Sequence, residues 1–176
     1  MLRRLLKDRR GAAAVEFALI SPILIMLYLG LAETTMGLMA DRRSSRVAST
    51  VGDLVAQTSM TSPTDLADIY AVAGMMMKPF PSSDLNIRVT SIKADAAGVA
   101  KVAWSNAQGS GLPKYAVGTT MTPPSGMLPA NQSLILAEVR YNYSAPVAST
   151  LPRAIVFNDR FYLRPRNGGE VTCPAC

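Results

Sequence analysis

Gly11-Ala12-Ala13-Ala14-Val15-Glu16-Phe17-Ala18-Leu19-Ile20-Ser21-Pro22 opens an apolar run that continues from Ile23 to Ala32, and this run decides how the 176-residue chain is organised. No charged side chain occurs from Phe17 to Ala32, and none again between Glu33 and Asp41. Residues 12–40 exceed the roughly 20 helical residues that a bilayer hydrocarbon core requires. In front of the run stand Arg3, Arg4, Lys7, Arg9 and Arg10 against the single acid Asp8. A basic leader of this kind holds an N-terminus in the cytoplasm, so the expected orientation is N-in, C-out. Arg42, Arg43 and Arg46 on the far side oppose that bias, with Glu33 and Asp41 beside them. The competing reading is a core helix of a soluble protein, which the adjacent basic leader disfavours.

Glu16 sharpens the reading. A carboxylate is expensive in lipid, by about 2.5–3.5 kcal/mol at a helix centre and less near an end, so it calls for a partner. If the chain is cut after Gly11, Ala12 acquires a new α-amino group with an ordinary pKa of about 7.7–8. Ala12 and Glu16 are four residues apart and share a helix face. The cation of one subunit can then neutralise the anion of its neighbour when such helices stagger in a filament. A carboxylate placed in the first helical turn also suits the helix dipole.

Arg9-Arg10-Gly11 followed by Ala12-Ala13-Ala14-Val15-Glu16-Phe17-Ala18 resembles a class III prepilin-peptidase site: a basic leader, Gly at −1, Glu at +5 and Phe at +6. With Pro22 and the glycine-broken apolar run, it is similar to the TadE-like minor pilins (pseudopilins) of the tight-adherence (Flp, type IVc pilus) system. Leu134–Tyr143 followed by Pro146, and Phe161–Arg166, are similar to the C-terminal half of that family. The resemblance implies a leader, residues 1–11, removed by prepilin peptidase between Gly11 and Ala12. It also implies a transmembrane and assembly helix over 12–40 and a periplasmic head over 41–176. Glu16 and Phe17 would serve subunit docking. Implied partners are other major and minor pilins, the inner-membrane assembly platform and the peptidase, with roles in pilus initiation and surface adhesion. Implied location is the bacterial inner membrane, single-pass, with incorporation into the surface pilus. Ala12 departs from the Phe that classical type IV pilins usually carry at +1, which puts N-terminal methylation in doubt. The head is far larger than the major pilins of this system carry, which fits a minor or priming subunit.

The expected fold class is α+β: a long N-terminal helix running into a head with a second helix and an antiparallel β-sheet. Val47, Val51, Leu54 and Val55 at spacing 0, 4, 7, 8 form an amphipathic face. With no proline between Pro22 and Pro63, the first helix is expected to reach Ala56, Gly52 being its weak spot. Ser62 as N-cap, Pro63 at N1 and Asp65 in the first turn start a second helix with the face Leu66, Ile69, Tyr70, Ala73 and Met77, ended by Pro79. Leu85, Ile87, Val89 and Ser91 set against Asn86, Arg88, Thr90 and Lys93 indicate a half-buried strand. Asp95-Ala96-Ala97-Gly98 turns it into Val99–Trp104. The Gly-, Pro- and Ser-rich stretch from Ser105 to Ser133 is long for a compact domain, with a short strand expected near Tyr115–Val117. Leu134–Tyr143 and Phe157–Leu163 supply the last strands, and the sheet is expected to pack on the C-terminal half of the first helix.

Chemistry-bearing motifs are few. The chain has no histidine, so Ser-His and Cys-His pairs and His-containing metal sites are excluded. Cys173-Pro174-Ala175-Cys176 reads as a small structural disulfide in an oxidising compartment, ahead of a redox dithiol or half a zinc site. Met75-Met76-Met77 reads as helix core and flank rather than a soft metal patch. Asp65, Asp68 and Asp84 read as solvated carboxylates, and Gly109-Ser110-Gly111 as a loop. The formal net charge of +6 is concentrated in the leader, and aromatics are only 6%, so nucleic acid is not an expected partner. No enzyme activity, cofactor, metal or small-molecule substrate is expected. Two further readings stay open: a periplasmic module cut after Gly30-Leu31-Ala32 to begin at Glu33, and a membrane-tethered thiol oxidoreductase using Cys173 and Cys176.

Overall fold

A computed structural model describes residues 11–145 and 154–176. The basic leader residues Arg3 to Arg10, and Pro146, lie outside the described residues. In order, the elements are α1 (Ala12–Ala56), α2 (Pro63–Met76), a 3-10 turn at Ser82–Asp84, β1 (Leu85–Ala94), β2 (Ala100–Gln108), β3 (Ser133–Tyr143) and β4 (Ile155–Leu163). The architecture is α+β with a long N-terminal helix. The chain divides into two compact units, one reaching to Leu38 and one beginning at Met39.

The second unit is built on a sheet of order β2-β1-β3-β4, every neighbouring pair antiparallel. One face receives the C-terminal part of α1. Val47, Val51 and Val55 are fully buried there, as their spacing predicts, while Leu54 is half-buried. Ser44 donates to Asp159 on β4, and Arg166 donates to Asp53. At Gly52 helix and sheet come close: a Cβ placed on it would run into Leu163 Cδ1 and lie 3.1 Å from Ala137 Cβ. The weak spot in helix propensity is therefore the position at which a side chain has no room.

α2 begins with a capping box. Asp65 N donates to Ser62 Oγ at 3.2 Å, and Ser62 N donates to Asp65 Oδ2 at 2.9 Å, satisfying two of the helix's orphan donors. Leu66, Tyr70 and Ala73 are its buried side chains. The Tyr70 hydroxyl donates to Asn106 O at 3.3 Å, and burial pushes its pKa above the usual phenol range.

Three sequence expectations need correction. β2 does not stop at Trp104 but runs to Gln108, because Ser105 and Asn106 are buried and satisfied rather than loop-exposed. A bulge lies between Ser91 and Ile92, where the partner register jumps from Trp104 to Val102. Tyr115–Val117 is not a strand. The stretch after it instead lines the outer edge of β2, with Val102 N donating to Thr119 O and Met121 N to Ala100 O, both at 2.9 Å. Finally, β1 is not half-buried: only Lys93 along it is exposed.

The covering of its second face comes from the long Ser- and Gly-rich connection. Ile92, Ala100 and Leu136 form a small apolar cluster closed by Met121, Leu128 and Tyr162. Beside it Arg88 pairs with Glu138 at 2.7 Å, donates to Pro113 O at 2.6 Å and to the Tyr115 hydroxyl at 2.7 Å, and lies over the Tyr115 ring. Glu138 also meets Arg160 at 3.0 Å. Asn86 Oδ1 accepts from Gly111 N at 2.8 Å, and a Cβ on Gly109 would lie 2.3 Å from the same oxygen. This layer is held largely by side chain to backbone hydrogen bonds, which leave no periodic apolar signature.

Candidate functional site: the N-terminal helix

α1 begins at Ala12, with Gly11 in the preceding turn and nothing within 4 Å of the position a Cβ would take there. Helix formation follows from Ala12, Ala13 and Ala14, the residue with the highest helix propensity. Glu16 is exposed and sits four residues after Ala12, one turn further along the same face. It lies beyond the first turn, which contains no acid. The expected first-turn contact with the helix dipole is corrected accordingly, since the dipole effect fades within that turn.

Phe17 beside it is 70% exposed. Leu19, Ile20, Ile23, Leu24, Ile25, Met26, Leu27, Tyr28 and Leu31 are also exposed. An 18-residue window of this helix has a mean hydropathy of 2.1 and is not buried at all within the chain. Covering such surface is favourable by about 25 cal/mol per Å2, and an exposed apolar patch of this extent marks a surface for membrane or protein contact. The helix is long and apolar enough to cross a membrane.

Its polar groups suit such a surrounding. The hydroxyls of Thr34 and Thr35 donate back to Gly30 O and Leu31 O, each at 2.8 Å, so neither needs water. Glu33 is buried. Pro22 lies inside the helix. Without an N–H it leaves the carbonyl of Ala18 unbonded by the usual i−4 donor, a point where the helix can bend. Gly30-Leu31-Ala32-Glu33, the alternative cleavage stretch, is helical throughout.

The remaining motifs fall elsewhere. Cys173 and Cys176 are joined as a disulfide in the C-terminal segment. That segment is tied down by the Trp104 indole N–H, which donates to Val171 O at 2.7 Å, and by pairing of Met60 with Thr172. Met75 is exposed and Met77 fully buried, so the methionine triplet straddles the edge of the core. Among the described residues no group of three or more His, Cys, Asp or Glu side chains could hold a metal ion.

Sequence reasoning singled out Gly11, Ala12, Glu16 and Phe17 and did not anticipate the buried Arg88–Glu138 pair. Its signal was the placement of both charges in otherwise apolar strands.

Comparison with protein families matches residues 11–52 to the TadE family, described as TadE-like protein. The match starts at the glycine before α1 and ends at Gly52, where α1 meets the sheet. No curated protein and no solved structure matched the chain.

Proposed function

Taking as premise a chain that is TadE-like over residues 11–52, we propose that it is a minor pilin of a tight-adherence pilus, processed between Gly11 and Ala12 and assembled through α1. The TadE-like segment supports an association with this pilus class in general. The finer reading rests on one observation: Gly11, Ala12 and Glu16 stand in fixed register at the start of a helix whose apolar side chains are exposed.

In this reading the protein inserts with its N-terminus in the cytoplasm and its head, residues 41–176, in the periplasm of the inner membrane. Lipid covers the exposed apolar side chains of residues 12–40 before assembly, and neighbouring pilin helices cover them afterwards. Removal of the leader frees the Ala12 α-amino group. Its charge then neutralises Glu16 of an adjacent subunit, an attraction strong where water is excluded. Phe17, next to Glu16, packs into the neighbour's helix. The size of the head suits a priming or minor subunit that meets the major pilins, the assembly platform and surfaces. The protein performs no catalysis and holds no cofactor.

The first measurement is the N-terminal residue of the mature protein, by mass spectrometry of membranes with and without the prepilin peptidase. An N-terminus at Ala12 that depends on the peptidase is expected. A soluble product beginning at Glu33 would replace this reading with an exported module, and an intact Met1 with a plain membrane anchor. Glu16→Ala is expected to insert normally and to abolish co-assembly into filaments. Wild-type incorporation of that variant would sink the docking role.

A further inference from the structure

We propose that Arg42, Arg43 and Arg46 bind the phosphate of an anionic phospholipid headgroup at the outer end of the membrane-spanning part of α1. The inference rests on the membrane-spanning reading above and adds a lipid site to it.

Met39, Arg42, Arg43 and Arg46 are spaced 0, 3, 4, 7 along α1 and therefore form one stripe on the helix surface. With Met76, the last residue of α2, they line a hollow of about 310 Å3. Arg43 Nη1 donates to Met76 O at 3.1 Å, satisfying a carbonyl that the end of α2 leaves without a helical donor. That bond fixes the middle guanidinium and leaves Arg42 and Arg46 exposed on either side of it.

Among the described residues, no carboxylate lies within ion-pair distance of any of the three. Asp159, on the sheet beneath, is engaged by the Ser44 hydroxyl. Three neighbouring guanidiniums repel one another unless an anion sits among them. The planar fork of arginine matches phosphate with paired N–H donors. The thioether side chains of Met39 and Met76 give the same hollow an apolar lining, suited to the glycerol and first methylenes of a lipid.

Position along the helix selects a lipid as the source of the phosphate. Reading back from Met39 on this stripe, Thr35, Ala32 and Tyr28 carry no charge. At 1.5 Å per residue, Arg42 lies about 38 Å along the axis from Phe17. A bilayer has a hydrocarbon core of about 30 Å and spans about 40–45 Å with its headgroups. With Phe17 at the inner boundary of the hydrocarbon core, Arg42 lies at the outer edge of the far headgroup layer and Arg46 about 6 Å beyond it, and their long side chains, leaning toward the helix N-terminus, reach back into that layer. Basic residues so placed attract anionic lipids.

The test uses the full chain purified in an uncharged detergent and offered equal amounts of phosphatidylglycerol and phosphatidylcholine, the retained lipid being counted by native mass spectrometry. Phosphatidylglycerol is expected to be retained in preference by about tenfold. Arg42→Gln/Arg46→Gln, which spares the Arg43 tie to α2, is expected to bring the ratio near one. Arg42→Lys/Arg46→Lys should keep much of the preference, since charge is retained.

Equal retention of the two lipids by the wild type overturns the proposal, and so does an undiminished preference in the Gln variant. Displacement of phosphatidylglycerol by excess inorganic phosphate alone would identify a free-anion site and overturn the headgroup assignment. A Gln variant that keeps its lipid preference but no longer co-purifies with filaments would assign the arginines to an acidic partner protein. Alkaline extraction of membranes separates this from failure of the membrane reading. Wild-type protein that resists extraction yet shows no preference refutes only the lipid site, whereas release of the wild type refutes the span itself.

Discussion

Gly52 and Arg88 are the two residues whose replacement should be felt most, for opposite reasons. At Gly52 the backbone of α1 meets the sheet with no space for a side chain, Ala137 Cβ being the unyielding neighbour. Gly52→Val should therefore lower stability by about 1–3 kcal/mol through overpacking, despite removing a poor helix former. A thermal melt of the detergent-purified chain measures it, and an unchanged midpoint would show that the helix can shift. Arg88 and Glu138 are nearly fully buried. Among the described residues, Arg88→Met leaves Glu138 paired with only the more exposed Arg160, at a cost of about 3 kcal/mol. Adding Glu138→Leu should recover most of that loss, because two well-packed apolar groups can replace a buried pair. Failure of the double variant to recover would mean that the Arg88 contacts with Pro113 and Tyr115 carry the stabilisation instead.

At the scale of elements, the β1–β2 turn is set by Asp95. Its Oδ1 accepts from Ala97 N at 3.0 Å and Val99 N at 2.9 Å, and Gly98 supplies the positive φ of 80°. The hydrogen bond from Val99, helped by those from Ala97 and by Lys101, holds the Asp95 carboxyl below its ordinary value of 3.8. A depressed folded-state pKa contributes stability that is present above the unfolded value and lost as pH falls through the folded one. The turn should thus loosen only in acid below the usual carboxylate range. Amide exchange of Val99 followed on lowering pH checks this, with Asp95→Asn expected to remove the acid-dependent step. The capping box of α2 and the reach of α1 to Ala56 are legible in order along the chain, since caps and periodicity are local. The second covered face of β1 is not legible, because its cover comes from a segment more than twenty residues away that binds largely through polar contacts, with only Met121 and Leu128 packing on the Ile92 cluster.

For the whole molecule, the C-terminal segment is held by contacts well outside its disulfide. Val171 is fully buried, its carbonyl accepts from Trp104, and Lys93 pairs with Glu170. The Cys173–Cys176 loop is very short, so its entropic contribution is small. Cys173→Ser/Cys176→Ser is expected to lower stability by less than about 2 kcal/mol, read by denaturant unfolding, and to leave pilus assembly unchanged. Loss of a pilus phenotype in a stable double variant would reopen the thiol-chemistry reading. The membrane-length helix belongs to this scale too, because its apolar surface is left uncovered by the rest of the described chain.

By itself the sequence determined the apolar helix, the register of Gly11, Ala12 and Glu16 within it, the cap of α2 and the last two strands. Each is written in neighbours within one or two turns of the chain, where propensity, charge and periodicity act. Only the tertiary structure decided that Gly52 is a point of contact, that β2 extends to Gln108, and that Arg88 and Glu138 are buried together. It also brought Met76 beside Arg43 and so shaped the arginine hollow. These outcomes depend on which distant segment arrives to cover or to bond a residue. Hydrogen bonds and packing across long separations leave no period in the sequence for a local reading to find.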